Sequence, residues 1–304
     1  MTPPKRPLPE KTENTMARTV LLTAGENEGR RSLSRVLRSR LCASHSLLVK
    51  LKANCAVSVN GETARLDRLV FPGDRVSVDI PELWHETGDE PSLVPADISV
   101  PVIFDDEDFV VFSKPAGMPS HPSHGHRDDT LANAFAAMYP QRVCRTVTRL
   151  DSGTSGAVLI AKNMLSGAVE RESVTRIYYG ITDRPVSFFR KSFSAPIERE
   201  LPEQPRRIVT PRGKSAVTHI FRVREKNGFT LLRFRLETGR THQIRVHCAA
   251  LGLPLVGDGL YGGTEGILDR PALHGAYLSL VNPVTGRRIA AKAPLAPDMR
   301  ALII

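Results

Sequence analysis

The sequence has few of the residues that mark secreted, membrane-bound or metal-stabilised proteins. Only four of its 304 residues are cysteines, and none of these forms a C-x-x-C pair or stands at zinc spacing from a histidine. No apolar run approaches the roughly 18 residues that a membrane-spanning helix requires, and the N-terminus lacks the apolar stretch of a secretory signal. These absences predict a cytoplasmic protein with reduced thiols, no membrane segment and no metal site.

What the chain has in excess is positive charge. Its 42 Lys and Arg against 32 Asp and Glu give a formal net charge of +10. Such an excess favours a polyanionic partner such as nucleic acid, because cationic side chains on phosphates release counterions. A basic surface that is simply solvated is the alternative. With 41% apolar and 24% charged residues, the composition is that of a globular protein.

Four segments are predicted along the chain. Residues 1–15 are Pro-rich, charged and nearly free of apolar residues, so we expect a disordered tail. Residues 16–82 are predicted to form a small α/β domain, and residues 83–100, with several prolines and acids, a linker. Residues 101–304 are predicted to form one larger domain.

The small domain is predicted to contain two basic helices and a sheet. Apolar residues at helical spacing indicate a helix over 30–41, and a second helix is expected over 44–54, with Ser44 as its N-cap. Asn60-Gly61 predicts a hairpin turn. This stretch resembles the S-four-type RNA-binding domain through its "V-x-V-N-G" and "P-G-D-x-V" patterns. The resemblance implies that the arginines of the first helix contact RNA, whereas the residues alone also allow a solvated helix face.

The larger domain is rich in short strands. Apolar or alternating runs indicate strands at 109–115, 155–163 and 176–182, and Asn227-Gly228 predicts a hairpin within 215–237. A second hairpin is expected around 282–286. Helices are expected over about 130–139, 164–173 and 241–251. Together these elements predict an α+β fold with a mixed, mainly antiparallel sheet.

Asp151 is the first candidate for chemistry. It stands in a polar, Gly-containing loop just before the apolar strand at 155–163, where a rigid element would hold a reachable carboxylate. Arg149 is two residues away, so both side chains point to one side of an extended segment. A neighbouring guanidinium favours the ionised carboxylate that a nucleophile or general base needs. A structural ion pair at a turn is the competing interpretation.

The segment 236–263 offers further polar candidates. Thr241 is expected to cap a helix in which Arg245 sits among apolar residues, so we predict a fixed anionic partner for Arg245. His242 and His247 would lie about 140° apart on that helix, which argues against a two-histidine metal site. The histidines of HPSHGH (121–126) are more typical of a polar loop at the edge of a substrate site than of a metal centre.

These motifs together resemble the RluA/RluD family of RNA pseudouridine synthases. The matching blocks are "SKPAGMPSHPSHGHRDDTL", "TRLDSGTSGAVLIAKN", "RIYYGIT", "ETGRTHQIRVHCAALGLPLVGDGLYG" and "LHGAYLSLVNPVTG", in this order between residues 101 and 298. The resemblance implies that Asp151 is the catalytic aspartate, that Tyr178 stacks on the target base, and that Arg245 pairs with the aspartate. The residues expected to contact the substrate RNA are Arg149, Arg240, His242, Tyr261, Arg31, Arg35 and Arg38.

The sequence departs from the family pattern at two positions. Thr148 stands where the family usually has histidine, and Arg176 replaces a common lysine. The resemblance implies an enzyme that isomerises uridines in RNA, with large-subunit ribosomal RNA as the expected substrate and transfer RNA as a second option. We expect no cofactor, because the reaction needs neither a redox step nor an energy input, and we expect a monomer. A catalytically impaired RNA-binding ribosome-assembly factor and a metal-dependent hydrolase are the rival interpretations.

Overall fold

The computed structural model describes residues 18–41, 43, 45–80 and 93–304. The described residues form two compact units, one from residues 18–36 and 45–80 and the other from residues 37–41, 43 and 93–304. The tail predicted over 1–15 and residues 83–92 of the predicted linker lie outside the described residues. Residues 93–100 contain neither helix nor strand. Across the described ranges, no helix is long and apolar enough to cross a bilayer.

Residues 18–80 combine two helices with short strands. The helices are α1 (Leu33–Leu41) and α2 (His45–Ala53). The strands are β1 (Arg18–Thr23), β2 (Arg31–Ser32), β3 (Val57–Val59), β4 (Glu62–Thr63), β5 (Leu69–Val70) and β6 (Arg75–Ile80). Four of them form an antiparallel sheet in the order β1-β6-β3-β4, and β2 pairs with β5.

Both predicted helices of this region are confirmed. The first begins at Leu33 and not at residue 30, because Arg30 has a positive φ of 60° and Arg31 pairs with β5. The apolar residues at helical spacing in α1 are fully buried. Asn60 and Gly61 both have positive φ in the turn between β3 and β4, as the hairpin prediction requires. The predicted cap Ser44 lies outside the described residues.

The larger unit contains four more helices and twelve more strands within the described part of the chain. The helices are α3 (Leu131–Met138), α4 (Met164–Gly167), α5 (Gln243–Ala250) and α6 (Pro297–Ile303). The strands are β7 (Val102–Asp105), β8 (Phe109–Lys114), β9 (Arg145–Thr146), β10 (Ser155–Ala161), β11 (Thr175–Thr182), β12 (Arg190–Ser194), β13 (Ile197–Arg199), β14 (Arg207–Val209), β15 (Val217–Lys226), β16 (Phe229–Leu236), β17 (Leu273–Val281) and β18 (Arg288–Lys292).

One mixed sheet organises this unit. Its strands follow the order β12-β15-β16-β11-β17-β10-β8-β7, with β18 paired to β17 and β9 paired to β10. Neighbouring strands are antiparallel apart from β10 and β17, which run parallel. The predicted α+β fold with a mixed, mainly antiparallel sheet is therefore confirmed.

The uninterrupted apolar runs of β8 and β10 arise because both faces of the sheet are covered. In β8, Val110 and Phe112 belong to the core cluster that includes Phe135 of α3 and Ile244 of α5. The alternate residues, such as Phe109, pack in a second cluster with residues of β17 and β18. A strand buried on both faces loses the alternation of apolar and polar residues.

Two predictions for helices are corrected. The helix expected over 164–173 is only the single turn α4 followed by a 3-10 turn over Arg171–Ser173. Asn163 caps the start of α4 by accepting the N–H of Ser166, and Gly167 disfavours continuation beyond this one turn. Thr241 does not cap α5; His242 is the N-cap, in a left-handed conformation with φ 57°.

Two features were missed from the sequence. Helix α6 begins with Pro297 and has Asp298 in its first turn, which are ordinary helix-start signals. Strands β13 and β14 form a small separate hairpin. The hairpin at Asn227-Gly228 and the one between β17 and β18 are confirmed, with positive φ at Asn227 and Gly228.

Candidate active site

Asp151 lies in the loop that leads into β10, and hydrogen bonds hold this loop on both sides of the residue. The hydroxyl of Ser120 donates to the Leu150 carbonyl at 2.7 Å and accepts from the Leu150 N–H at 3.1 Å. The Ser152 carbonyl accepts from Nζ of Lys114 at 3.2 Å. The backbone is thereby fixed, while the Asp151 side chain stays 33% exposed.

Lys114 is a buried cation at the end of β8. Its ammonium donates to the carbonyls of Pro115, Met118 and Ser152 at 2.8, 2.7 and 3.2 Å. Burial lowers the pKa of Lys114 to about 7, and the charge of Asp151 acts in the opposite direction. Three carbonyl acceptors around one ammonium also favour its charged form. Lys114 therefore ties the Asp151 loop to the sheet.

The start of α5 forms another part of the site. Arg245 donates from Nε to Oδ2 of Asp258 at 2.8 Å and from Nη2 to Oδ1 at 2.7 Å. Asp258 is 1% exposed, so this two-pronged ion pair is buried. Burial by itself lowers the pKa of Arg245, but the bonds to Asp258 and the charge of Asp151 raise it overall. The predicted anionic partner of Arg245 is thus Asp258, and the expected direct pairing with Asp151 is not observed.

His242 connects Asp151 to a buried tyrosine. Its Nε2 lies 3.9 Å from Oδ2 of Asp151, and its Nδ1 lies 2.8 Å from the hydroxyl of Tyr261. That hydroxyl accepts the backbone N–H of Arg207 at 2.9 Å, so its own proton is free to be donated to Nδ1. Burial lowers the pKa of His242, with Asp151 opposing this shift. When the Tyr261 hydroxyl donates to Nδ1, the proton of a neutral imidazole is on Nε2, the nitrogen nearer to Asp151.

Tyr178 is supplied by β11 and is 6% exposed. The pairing of β11 with β17 skips Ala276 of β17 next to Tyr178, whereas the pairing of β11 with β16 is continuous, so the side chains of β11 keep their regular alternation. Burial raises the pKa of Tyr178, so its hydroxyl keeps its proton. Tyr179 packs beside a different core cluster, which confirms that the two tyrosines face opposite ways.

These side chains line one cavity of about 260 Å³. Asp151 is the single acidic side chain among the described residues that line it. The other charged lining residues are four arginines: Arg149, Arg171, Arg240 and Arg245. A small, strongly cationic cavity with one carboxylate and one buried aromatic ring is suited to a single nucleobase attached to a phosphate chain.

Comparison with known proteins agrees with this geometry. Residues 108–250 match the family described as RNA pseudouridylate synthase. The RNA pseudouridine synthase YhcT of Bacillus subtilis is 36% identical over 301 residues, which cover 95% of this chain and 98% of that protein. The chain belongs to the RNA pseudouridine synthase family. It is an isomerase of the RluA/RluD type.

Two further relatives extend the match. The ribosomal large subunit pseudouridine synthase D of Escherichia coli K12 is 33% identical over 315 residues. The match covers 95% of this chain and 95% of that protein. The structure of human RNA pseudouridylate synthase domain containing 1 is similar with a TM-score of 0.56 and 26% identity, over 70% of this chain and 90% of that one. The second similarity supports the pseudouridine synthase fold of the larger unit.

The structure brings most of the predicted site residues of this synthase together. Asp151, Tyr178, Arg245, Arg149, Arg240 and His242 all line the cavity. Tyr261 is an exception, because it is 8% exposed and bonds to His242 without lining the cavity itself. Three arginines outside the cavity lining are exposed, in β2 and α1: Arg31, Arg35 and Arg38.

Thr148, the departure from the family pattern, has a structural role. It is 3% exposed, and its hydroxyl accepts the N–H of Leu159 at 2.9 Å. Thr148 does not line the cavity. The Thr148 hydroxyl therefore ties the segment before Asp151 to β10.

Sequence reasoning missed three residues of the site. Lys114 and Asp258 stand in the blocks "SKPAG" and "GDGLYG", but their burial as ions depends on tertiary packing. Arg171 lies in the segment expected to be helical, and its place in the cavity lining follows from the early end of α4. For Lys114, the sequence does contain one signal of a functional position: a charged residue at the end of an apolar strand.

The histidine-rich loop 121–126 folds as a local turn. Ser123 and His126 form an isolated bridge, and Nδ1 of His126 lies 2.6 Å from Asp129. His121 and His124 are exposed. Among the described residues, no three His, Cys, Asp or Glu side chains are grouped as metal ligands.

Proposed function

We propose that this synthase converts one or more uridines of large-subunit ribosomal RNA to pseudouridine, with Asp151 as the catalytic residue. The observation that carries the proposal is the single carboxylate of the cavity, held in place by its backbone and facing a buried aromatic ring and several arginines. The choice of RNA rests on the names of relatives such as the large-subunit synthase D of Escherichia coli.

The reaction breaks the bond between N1 of uracil and C1′ of ribose and forms a bond between C5 and the same C1′. No electron is transferred, and the proton lost from C5 is balanced by one gained at N1. A carboxylate at the site can respond to positive charge that develops at C1′, as in glycoside chemistry. Asp151 either adds to the ribose or removes one of its protons, and both routes use the same carboxylate.

The surrounding residues hold the freed base while it rotates. Tyr178 offers a ring face for stacking, and the small cavity restricts escape of the uracil. Arg245, fixed by Asp258, places a positive charge near Asp151. Nε2 of His242 faces the same carboxylate at 3.9 Å.

RNA binding must offset the cost of taking the uridine out of its stack, which is a few kcal/mol. Arg149 and Arg240 are exposed and line the cavity, which places them where phosphates would pass. We assign Arg31, Arg35 and Arg38 to phosphate contacts by an S-four-type domain. These phosphate contacts supply affinity, and contacts of the cavity residues with the base would supply selectivity.

The test is pseudouridine mapping of total RNA from cells with and without the gene, by carbodiimide-dependent stops of reverse transcription. We expect one or more stops in large-subunit RNA to disappear and to return with the wild-type protein. Asp151→Asn should fail to restore them. Asp269→Asn, at an exposed acid that does not line the cavity, is the matched control and should restore them fully.

Growth and ribosome profiles of the same strains separate catalysis from binding. If Asp151→Asn restored the stops, the assignment of the catalytic residue would be wrong. If the variant restored normal large-subunit assembly without restoring the stops, binding would matter more than modification, as in a ribosome-assembly factor.

A further inference from the structure

Two arginines next to the Asp151 cavity have no acidic partner among the described residues. Arg176, in β11, is 3% exposed, and Arg171, in the 3-10 turn before it, is half-buried and lines the cavity. In the described part of the chain, no carboxylate lies within 4.0 Å of either guanidinium group. Buried arginines are nearly always paired, as Arg245 is with Asp258.

Part of their hydrogen-bonding capacity is also unused. Nε of Arg171 and both Nε and Nη1 of Arg176 are shielded from solvent and have no hydrogen-bond partner among the described residues. The one bond that Arg171 makes through Nη1 is to the Gly239 carbonyl at 3.0 Å. Unmade hydrogen bonds of a buried cation are costly, and native structures keep them mainly where a function requires them.

Both guanidinium groups lie against the same glycine. A Cβ built on Gly239 would lie 2.9 Å from Cζ of Arg171 and 2.9 Å from Nη1 of Arg176. The two positive charges are therefore neighbours at the cavity edge. Burial lowers the pKa of Arg176 and the charge of Arg171 lowers it further, while Tyr178 and Glu172 act in the opposite direction.

We propose that Arg171 and Arg176 form an anion subsite that holds a backbone phosphate of the RNA next to the uridine at Asp151. Arg171 lines the cavity and makes the contact, and Arg176 supplies the second charge behind it. Two guanidinium groups side by side match the charge and the acceptor geometry of a phosphate. The subsite rests on the proposed placement of the uridine at Asp151.

The position of the pair fits a phosphate more closely than a base. Arg176 and Tyr178 are two residues apart in β11, so their side chains leave the strand on the same face. A base stacked on Tyr178 brings its own sugar-phosphate chain to that face. Arg240, which follows Gly239, is exposed and lines the same cavity. The positively charged surface therefore continues beyond the pair, where the next phosphates of the RNA would lie.

The test compares the binding of uridine 3′,5′-bisphosphate, which carries the phosphates on both sides of one nucleoside, with that of uridine. Dissociation constants are measured by calorimetry with the full-length protein at low salt. We expect the wild type to bind the bisphosphate at least about tenfold more tightly, since charge-assisted hydrogen bonds are strong. Arg171→Gln should lose most of this preference.

Arg224→Gln is the matched control, because Arg224 is an exposed arginine of β15 that does not line the cavity. It should keep the full preference for the bisphosphate. Asp151→Asn should keep it as well, although that variant is expected to form no pseudouridine. A failure of the catalytic assignment would therefore leave the phosphate preference intact.

Arg176→Met distinguishes a phosphate site from a structural arginine. For an anion subsite, the variant should weaken bisphosphate binding and leave the melting temperature of the free protein unchanged or higher, because an unpaired buried charge is removed. A lower melting temperature with unchanged bisphosphate preference would overturn the proposal. The proposal would also be overturned if Arg171→Gln kept the full preference for the bisphosphate over uridine, or if the wild-type protein showed no such preference.

Discussion

The guanidinium of Arg245 and the carboxylate of Asp258 meet edge to edge, with Nε–Oδ2 at 2.8 Å and Nη2–Oδ1 at 2.7 Å. Arg245 lines the cavity, whereas Asp258 does not and is 1% exposed. The guanidinium also lies 4.9 Å from the centre of the Tyr261 ring. Asp258 thus fixes the orientation of the guanidinium that lines the cavity.

Replacing Asp258 by alanine should lower the free energy of unfolding by about 3–5 kcal/mol, because it leaves the charge of Arg245 buried and unpaired. Urea unfolding followed by circular dichroism measures the loss. Glu200→Ala is the control, since Glu200 pairs with Arg206 at 3.5 Å and the two side chains are 32% and 47% exposed. That variant should lose about 1 kcal/mol or less. Equal losses in both variants would contradict the role of burial.

Tyr261→Phe should reduce kcat about tenfold and change KM less than about twofold, which corresponds to one lost hydrogen bond. The variant removes the hydroxyl that orients His242, whose Nε2 faces Asp151 at 3.9 Å. Steady-state kinetics on an RNA fragment that contains the mapped site measures both constants. Tyr277→Phe, in β17 and away from the cavity lining, should behave as wild type. An unaffected kcat in Tyr261→Phe would show that the contact to His242 is dispensable.

The stability of the protein should rise with pH between about 5 and 7. Burial lowers the pKa of His247 and of His274, so at these positions the unfolded chain binds protons more readily than the folded chain. This stability is fully present above the unfolded pKa of about 6.5 and is lost as the pH falls through the lowered folded values. Urea unfolding at pH 5, 6, 7 and 8 tests the slope.

His247→Gln provides the control for that slope. His247 is fully buried, with Nδ1 at 2.8 Å from the Thr218 hydroxyl and Nε2 at 3.0 Å from the Ala195 carbonyl. Glutamine does not titrate, so the pH dependence should become flatter. A slope as steep as in the wild type would rule out His247 as one of its sources.

Gly156→Ala should destabilise the fold by about 3 kcal/mol or more, or yield insoluble protein. Gly156 has a φ of +119°, and a Cβ there would lie 2.2 Å from the carbonyl oxygen of Gly275 in the neighbouring strand. Gly228→Ala is the matched control, because its φ of +78° is also positive but its Cβ would meet nothing within 4 Å. We expect a loss of about 1 kcal/mol there. Unfolding curves of the two variants should differ clearly.

Patterns of neighbouring residues were sufficient to predict the tight turns and some of the helices. Asn60-Gly61 and Asn227-Gly228 predicted their hairpins, because only residues that tolerate positive φ form such turns. Thr130, the first residue of the helix expected over 130–139, is the N-cap of α3, where its side chain and Asn133 satisfy each other's backbone groups. The helix expected over 164–173 was wrong, because α4 ends after one turn at Gly167, a residue of low helix propensity.

The sequence by itself determined the α+β class, the order of the motifs and the membership in the pseudouridine synthase family, since these depend on periodicity and on short specific blocks. Only the tertiary structure decided which charges meet. Arg245 binds Asp258, Lys114 binds the Ser152 carbonyl, and Arg171 lies at the cavity edge. Ion pairing between distant residues depends on burial and on distances of a few ångströms, and neither is encoded in the spacing of residues along the chain.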